Sequence, residues 1–258
     1  MHCLVLTLTA LMLSGLAAAA PVVTTNSTID SSLVTRYDHC NRPGVFALTF
    51  DDGPSQYSYD LAKSLYQQGI KATFFINGNN TVDILNNNTP TNTSDGMKTY
   101  LEVIKYYYDS GHELASHTFE HLNLANKSEA EVRRQMNAQS DVIFAATGRR
   151  PQLMRPPEGA LDDSASRILK ELGYSNVMWD VDTKDWVLSG LAAEQAIVQT
   201  IMDADTPTTL GHISLLHDIH ASTVNTLVPW MTQYVREKGL QFVTVSDCIG
   251  VDAYHPVA

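Results

Sequence analysis

Two acidic residues stand side by side in "ALTFDDGPS": Asp51 and Asp52, at the end of a short apolar run and just before Gly53 and Pro54. Neighbouring carboxylates repel, so folding gains nothing from pairing them; a proton transfer or a cation would. A second cluster lies in "HTFEH", where His117 and His121 are four apart and share one face of a turn, the spacing of metal ligands. Thr118, not Glu, follows His117, so the general base must come from elsewhere, and Asp51 or Asp52 can supply it. Two imidazoles and one carboxylate leave coordination positions open for water and substrate, which suits Zn²⁺, with Co²⁺ or another divalent ion as alternatives.

Three further segments carry polar residues after apolar runs. "RPPEG" holds Arg155 and Glu158, with two prolines fixing the backbone between them. An Arg beside the acidic pair would orient one of its carboxylates. "DTKDW" holds Asp182, Asp185 and Trp186, and "LLHDIH" holds Leu215, His217 and His220. Other features read as structural: Asp162–Asp163 favour a helix start, Tyr106, Tyr107 and Tyr108 divide between core and surface, His112, His212 and His220 serve the fold, and Trp230 belongs to the core.

The elements that must position these residues follow one rhythm, a β-like run and then a helical stretch. The runs are 45–50, 72–77, 112–117, 152–156, 174–181, 212–217 and 240–245; the helical stretches are 57–68, 96–109, 128–146, 161–172, 191–203 and 222–238. About seven β/α units in one domain predict an α/β fold with a parallel sheet covered by helices. The chemical residues fall at the C-terminal ends of several different runs, which favours a distorted (β/α) barrel over an open sheet.

The first twenty residues carry no Lys, Arg, Asp or Glu and end in small residues, the form of a secretory signal peptide. Residues 21–39 are expected as an N-terminal tail, 40–250 as the domain and 251–258 as a C-terminal tail. After removal of Cys3 with the signal, Cys40 and Cys248 remain, and in an oxidising compartment they most simply pair with each other. Asn26, Asn79, Asn87, Asn92 and Asn126 head Asn-x-Ser/Thr sequons and are glycosylation candidates. The chain is thus expected in the extracellular space or cell wall, as a monomer. Its net charge is −11 with no basic run, which argues against nucleic acid and anionic membranes as partners. No later stretch is long and apolar enough to span a membrane.

The segments "TFDDGP", "HTFEH", "RPPEG", "DTKDW" and "LLHD", in this order over roughly 40–248, resemble the motifs of the polysaccharide deacetylases of the NodB-homology type, also called carbohydrate esterase family 4. With "CNRPGVFALTFDDGP" and "FVTVSDC", the chain is most similar to secreted fungal chitin deacetylases. The resemblance implies Asp51 as general base and Asp52, His117 and His121 as metal ligands. It implies that Arg155 orients the base and that His217 is the general acid, tuned by Asp185, with Asp182 as second choice. Trp186 and Leu215 would line the acetyl pocket. Glu158 stands where the family usually has an aromatic residue whose backbone N–H helps form the oxyanion hole. The implied substrate is chitin or chitooligosaccharide; an acetylxylan esterase, a peptidoglycan deacetylase and a non-catalytic chitin-binding protein are the alternatives.

Overall fold

A computed structural model describes residues 30–86, 89–187, 190–204 and 211–257. The signal-like segment, Asn26 and Asn87 lie outside the described residues. The chain runs β1 (Arg36–Tyr37), β2 (Val45–Ala47), β3 (Thr49–Asp51), α1 (Ser58–Gln67), β4 (Thr73–Ile76), β5 (Thr91–Thr93), β6 (Gly96–Lys98), α2 (Tyr100–Asp109) and β7 (Glu113–Ser116). It continues through α3 (Glu129–Thr147), β8 (Leu153–Met154), α4 (Asp163–Glu171), β9 (Ser175–Val177), β10 (Val181–Asp182), α5 (Leu191–Asp203), β11 (His212–His217), α6 (Val228–Glu237), β12 (Gln241–Val243) and α7 (Val245–Ile249).

The main sheet is parallel throughout and ordered β1-β9-β8-β7-β4-β3-β11-β2-β12, with β10 also paired to β11. The run 175–182 pairs with β8 at its start and with β11 at its end, so it closes the ring into a distorted barrel. Side chains alternate across the wall as strand geometry requires. Phe46, Leu48, Phe74 and Leu114 pack outward under the helices, while Ala47, Phe75, Ala115 and Ile213 pack inward. At the lower end, α7 and the Cys40–Cys248 disulfide join the inward cluster and plug the barrel.

Several boundaries depart from the sequence reading, each for a local reason. The run 45–50 is two strands, because Ser214 of β11 takes up the break: its hydroxyl donates to Ala47 O and accepts from Thr49 N. The helix expected from 96 begins at 100, where Thr99 and Glu102 form a reciprocal capping box. Residues 91–98 instead form the β5–β6 hairpin. Ser128 caps α3 and Asp162 caps α4. The tails are also more integrated than expected. Val34 is buried and β1 extends the sheet beside β9. At the other end Gln152 N and His255 N bond across to Ala253 O and Arg150 O, and Leu114 N donates to the Tyr254 hydroxyl.

The features read as structural take those places except for His220, whose ring lies against that of His217. Tyr107 is fully buried and stacked on Phe74, while Tyr106 and Tyr108 are partly buried. Trp230 packs against the core and stacks on Tyr234. His112 accepts from Ala72 N and donates to Ala62 O, and His212 binds Asp180. Among the sequons described, Asn92 and Asn126 are exposed and Asn79 is half-buried. No helix among the described residues is long and apolar enough to cross a membrane.

Candidate active site

Five strand ends open onto one cleft of about 420 Å³ at the C-terminal face of the barrel. The register sets the first two partners: Asp51 of β3 lies opposite His217 of β11. The chain then turns sharply. Asp52 takes a left-handed φ of 74° and the Gly53–Pro54 peptide is cis. On a regular strand Asp51 and Asp52 would face opposite ways; the turn lets both face the cleft.

Asp51 is held from below. Arg155 is fully buried, and its Nη1 donates to Asp51 Oδ1 at 2.7 Å and to Thr49 Oγ1 at 2.8 Å. The rest of the guanidinium donates to Val177 O and Met178 O, and its face lies 4.1 Å over the Phe75 ring. Burial works against the Arg155 charge and lowers its affinity for a proton; Asp51 works the other way. With its donors occupied and its face stacked, the Arg has one arrangement, and it fixes one oxygen of Asp51. The second oxygen points towards the cleft, 3.8 Å from His117 Nε2.

Asp52 Oδ1 lies 3.4 Å from His117 Nε2 and 3.2 Å from His121 Nε2. The three ligand atoms fall within 4.8 Å of one another. His117 Nδ1 donates to Arg155 O at 2.8 Å, which leaves its Nε2 lone pair aimed inward. The Asp52 oxygen facing these lone pairs is buried with no hydrogen-bond partner among the described residues. Acceptors converging without a donor fit a cation, so Asp52, His117 and His121 could hold a metal ion. Burial pushes the Asp52 carboxyl up, but His117 first, and then His121 and His217, outweigh it and bring it to about 2. Burial, then His117, lowers His121, which favours the neutral ligand form.

Across the cleft, Asp185 Oδ1 accepts from His217 Nδ1 at 2.8 Å, and Oδ2 accepts from His217 N and from Thr223 Oγ1. Burial would lower His217, but the Asp185 hydrogen bond and charge, with smaller pulls from Asp51 and Asp52, raise it to about 9. Asp182, the alternative partner, instead binds Lys184 Nζ at 2.6 Å on the cleft wall. Leu215 and Trp179 line the pocket, and Trp186 stands half-exposed at its edge. Glu158 sits in the turn Pro157–Gly159 with φ 60°.

Residues to which the motifs assign no role complete the frame. Asn77 N donates to Gly53 O, and Asn77 Nδ2 donates to the carbonyls of His117 and Thr118, tying the acidic turn to the histidine loop. Asp218 is buried beneath the same turn, bonded by Ser58 and Tyr107 hydroxyls, and burial first of all raises its carboxyl to about 7. Asn77 ends the run 72–77 with no motif of its own, and Asp218 lies within "LLHD" beside His217 with no role read from it. Of the six non-glycine residues with positive φ among the described residues, Asp52, Thr118, His121, Glu158 and Lys184 belong to the cleft or its loops. Such backbone costs of order 1–3 kcal/mol per residue and gathers at functional sites.

A polysaccharide deacetylase family model matches residues 38–177. A chitin deacetylase of a Pestalotiopsis species is 33% identical over 93% of this chain and 75% of its own length. A probable peptidoglycan-N-acetylglucosamine deacetylase of Arthroderma benhamiae is 31% identical over 82% of this chain, which spans 45% of that protein. The structure of the chitin deacetylase from Colletotrichum lindemuthianum superposes with a TM-score of 0.76 and 28% identity, covering 86% of this chain and 96% of that one. With a family model over more than half its length and a relative matched along three quarters of its own, this chain belongs to the polysaccharide deacetylase family.

Proposed function

We propose that the protein hydrolyses the N-acetyl groups of N-acetylglucosamine residues in chitin or chitooligosaccharides, yielding acetate and free amino sugar, with a divalent cation, Zn²⁺ in our reading. One observation carries it: a buried, Arg-held carboxylate and an Asp-held histidine flank a three-residue metal-ligand set in one cleft. Amide hydrolysis needs these parts, because an amine leaves only when protonated while water must lose a proton to attack.

Asp52, His117 and His121 would hold the cation, which when bound supplies Lewis acidity to the acetyl carbonyl and to the attacking water. Asp51 takes the water proton on the oxygen that Arg155 leaves free. The backbone N–H of Glu158 would donate to the developing oxyanion. His217, charged up to about pH 9, hands its proton to the leaving nitrogen, and Asp185 keeps it oriented. Trp186 and Leu215 wall the acetyl methyl group. Cleavage of the first twenty residues, secretion as a monomer and glycosylation at exposed sequons belong to the same reading; the Cys40–Cys248 disulfide supports an oxidising destination.

The test is acetate release from N-acetylglucosamine oligomers by the purified chain, with chelator and then with Zn²⁺ or Co²⁺ restored. Release that disappears with chelator, returns with metal and is abolished by Asp51→Asn with metal still bound is the expected result. Release from acetylated xylan or peptidoglycan alone would move the substrate. Binding of chitin without any release would make the protein a non-catalytic chitin binder.

A further inference from the structure

The cleft carries one charge that the chemistry above does not use. Glu158 lends its backbone to the reaction, but its side chain is exposed and lines the cleft. Its left-handed φ of 60° is costly for a glutamate, a position glycine would fill more cheaply. The carboxylate does not float. Its Oε2 accepts from Asn123 Nδ2 at 2.9 Å, which leaves Oε1 free to accept from a ligand.

No lysine or arginine among the described residues pairs with it. The lysine lining the same cleft, Lys184, is taken by Asp182 at 2.6 Å, and Arg134 of α3 is taken by Glu120 and Glu131. Glu158 therefore stands as an anchored anion in the cleft with no lysine or arginine paired to it among the described residues. A fully acetylated chain is neutral and offers it only hydroxyls. A chain that has lost an acetyl group carries an amine at that sugar, and the protonated amine is a charge-assisted donor.

We propose that Glu158 is a specificity residue that forms a subsite for a protonated glucosamine unit beside the reacting residue, so that partly deacetylated chains are preferred over fully acetylated ones. The proposal rests on the deacetylase reading and extends it: the enzyme's own product becomes its favoured substrate, and acetyl groups are removed in runs rather than at random.

The experiment uses the full, Zn²⁺-loaded chain and two tetramers, one fully acetylated and one with a glucosamine unit next to a reacting residue. It is run at a pH where the sugar amine is protonated. The quantity read is the ratio of kcat/KM for the two. The wild type should favour the mixed tetramer by roughly three- to tenfold, the range of an ion pair in a half-solvated cleft. Glu158→Gln should bring the ratio close to one with metal content unchanged, Glu158→Lys should invert it, and high salt should weaken it. A ratio that Glu158→Gln leaves as it was, or a loss of bound metal in that variant, would overturn the proposal. Titration with the fully deacetylated tetramer, which has nothing to hydrolyse, separates the two readings. If wild type binds it more tightly than Glu158→Gln yet releases no acetate from either acetylated substrate, the deacetylase reading fails and the cation subsite stands.

Discussion

Replacing Asp185 with asparagine removes the charge that holds up His217 while keeping the shape of the side chain. His217 is only 13% exposed, so solvent screens this pair weakly. Burial acting alone would take the imidazole below its ordinary value of 6.5, and Asp185 is the main reason that it stands at about 9. A bound cation offsets the smaller help from Asp52 and leaves the Asp185 contribution in place. If Asp185→Asn returns His217 to 6.5, its proton affinity falls by about 300-fold. At pH 8 the fraction protonated drops from about nine-tenths to about 3%, roughly a 30-fold loss of general acid, whereas at pH 6 the loss is less than twofold. Acetate release from the metal-saturated enzyme between pH 5 and 10 reads this directly: the basic limb of kcat/KM should move down by two units or more. The linkage has a second consequence. A histidine raised in the folded state stabilises the fold fully below its unfolded value, and the contribution, of order 3 kcal/mol, is lost as pH rises towards 9. Between pH 6.5 and 9 the wild type should therefore lose stability faster than Asp185→Asn. A loss of rate by the same factor at every pH, with the basic limb unmoved, would refute the reasoning and leave Asp185 a purely orienting role.

Two other expectations concern the frame. Gly53→Ala would drive a methyl group into the buried Asp218 carboxylate beneath the acidic turn, so metal affinity and turnover should fall by at least tenfold, read by metal titration and acetate release; near-normal values would show that the turn adapts. Reduction of the Cys40–Cys248 bond, which closes a loop of 208 residues, should lower unfolding free energy by about 3–5 kcal/mol in denaturant titrations while metal affinity is kept, because the bond lies at the opposite end of the barrel from the cleft.

The chemical residues were legible because each sits in a short motif after an apolar run, and the β/α rhythm placed those runs in one parallel sheet. Their roles still depended on the resemblance: spacing left open which of Asp51 and Asp52 takes the metal. The geometry now distinguishes Asp185 from Asp182, since only Asp185 reaches His217. What stayed hidden depends on backbone conformation. The left-handed residues that turn Asp52 and His121 inward have no compositional mark. Ser214 splits a strand that reads as continuous, and Asn77 acts from the end of a run with no motif of its own. The outer segments were misread because an edge strand of two residues has too few side chains to show a period.

The interior of the barrel forms a single column. The disulfide and α7 seal its base, the Phe75 ring lies above them, the Arg155 guanidinium rests on that ring, and Asp51 stands on the guanidinium. Among the described residues the column is packed at its base and opens at the cleft that Asp51 lines, so a polymer chain lying across the cleft would cover it. The reacting carboxylate would then be driest when a substrate is in place.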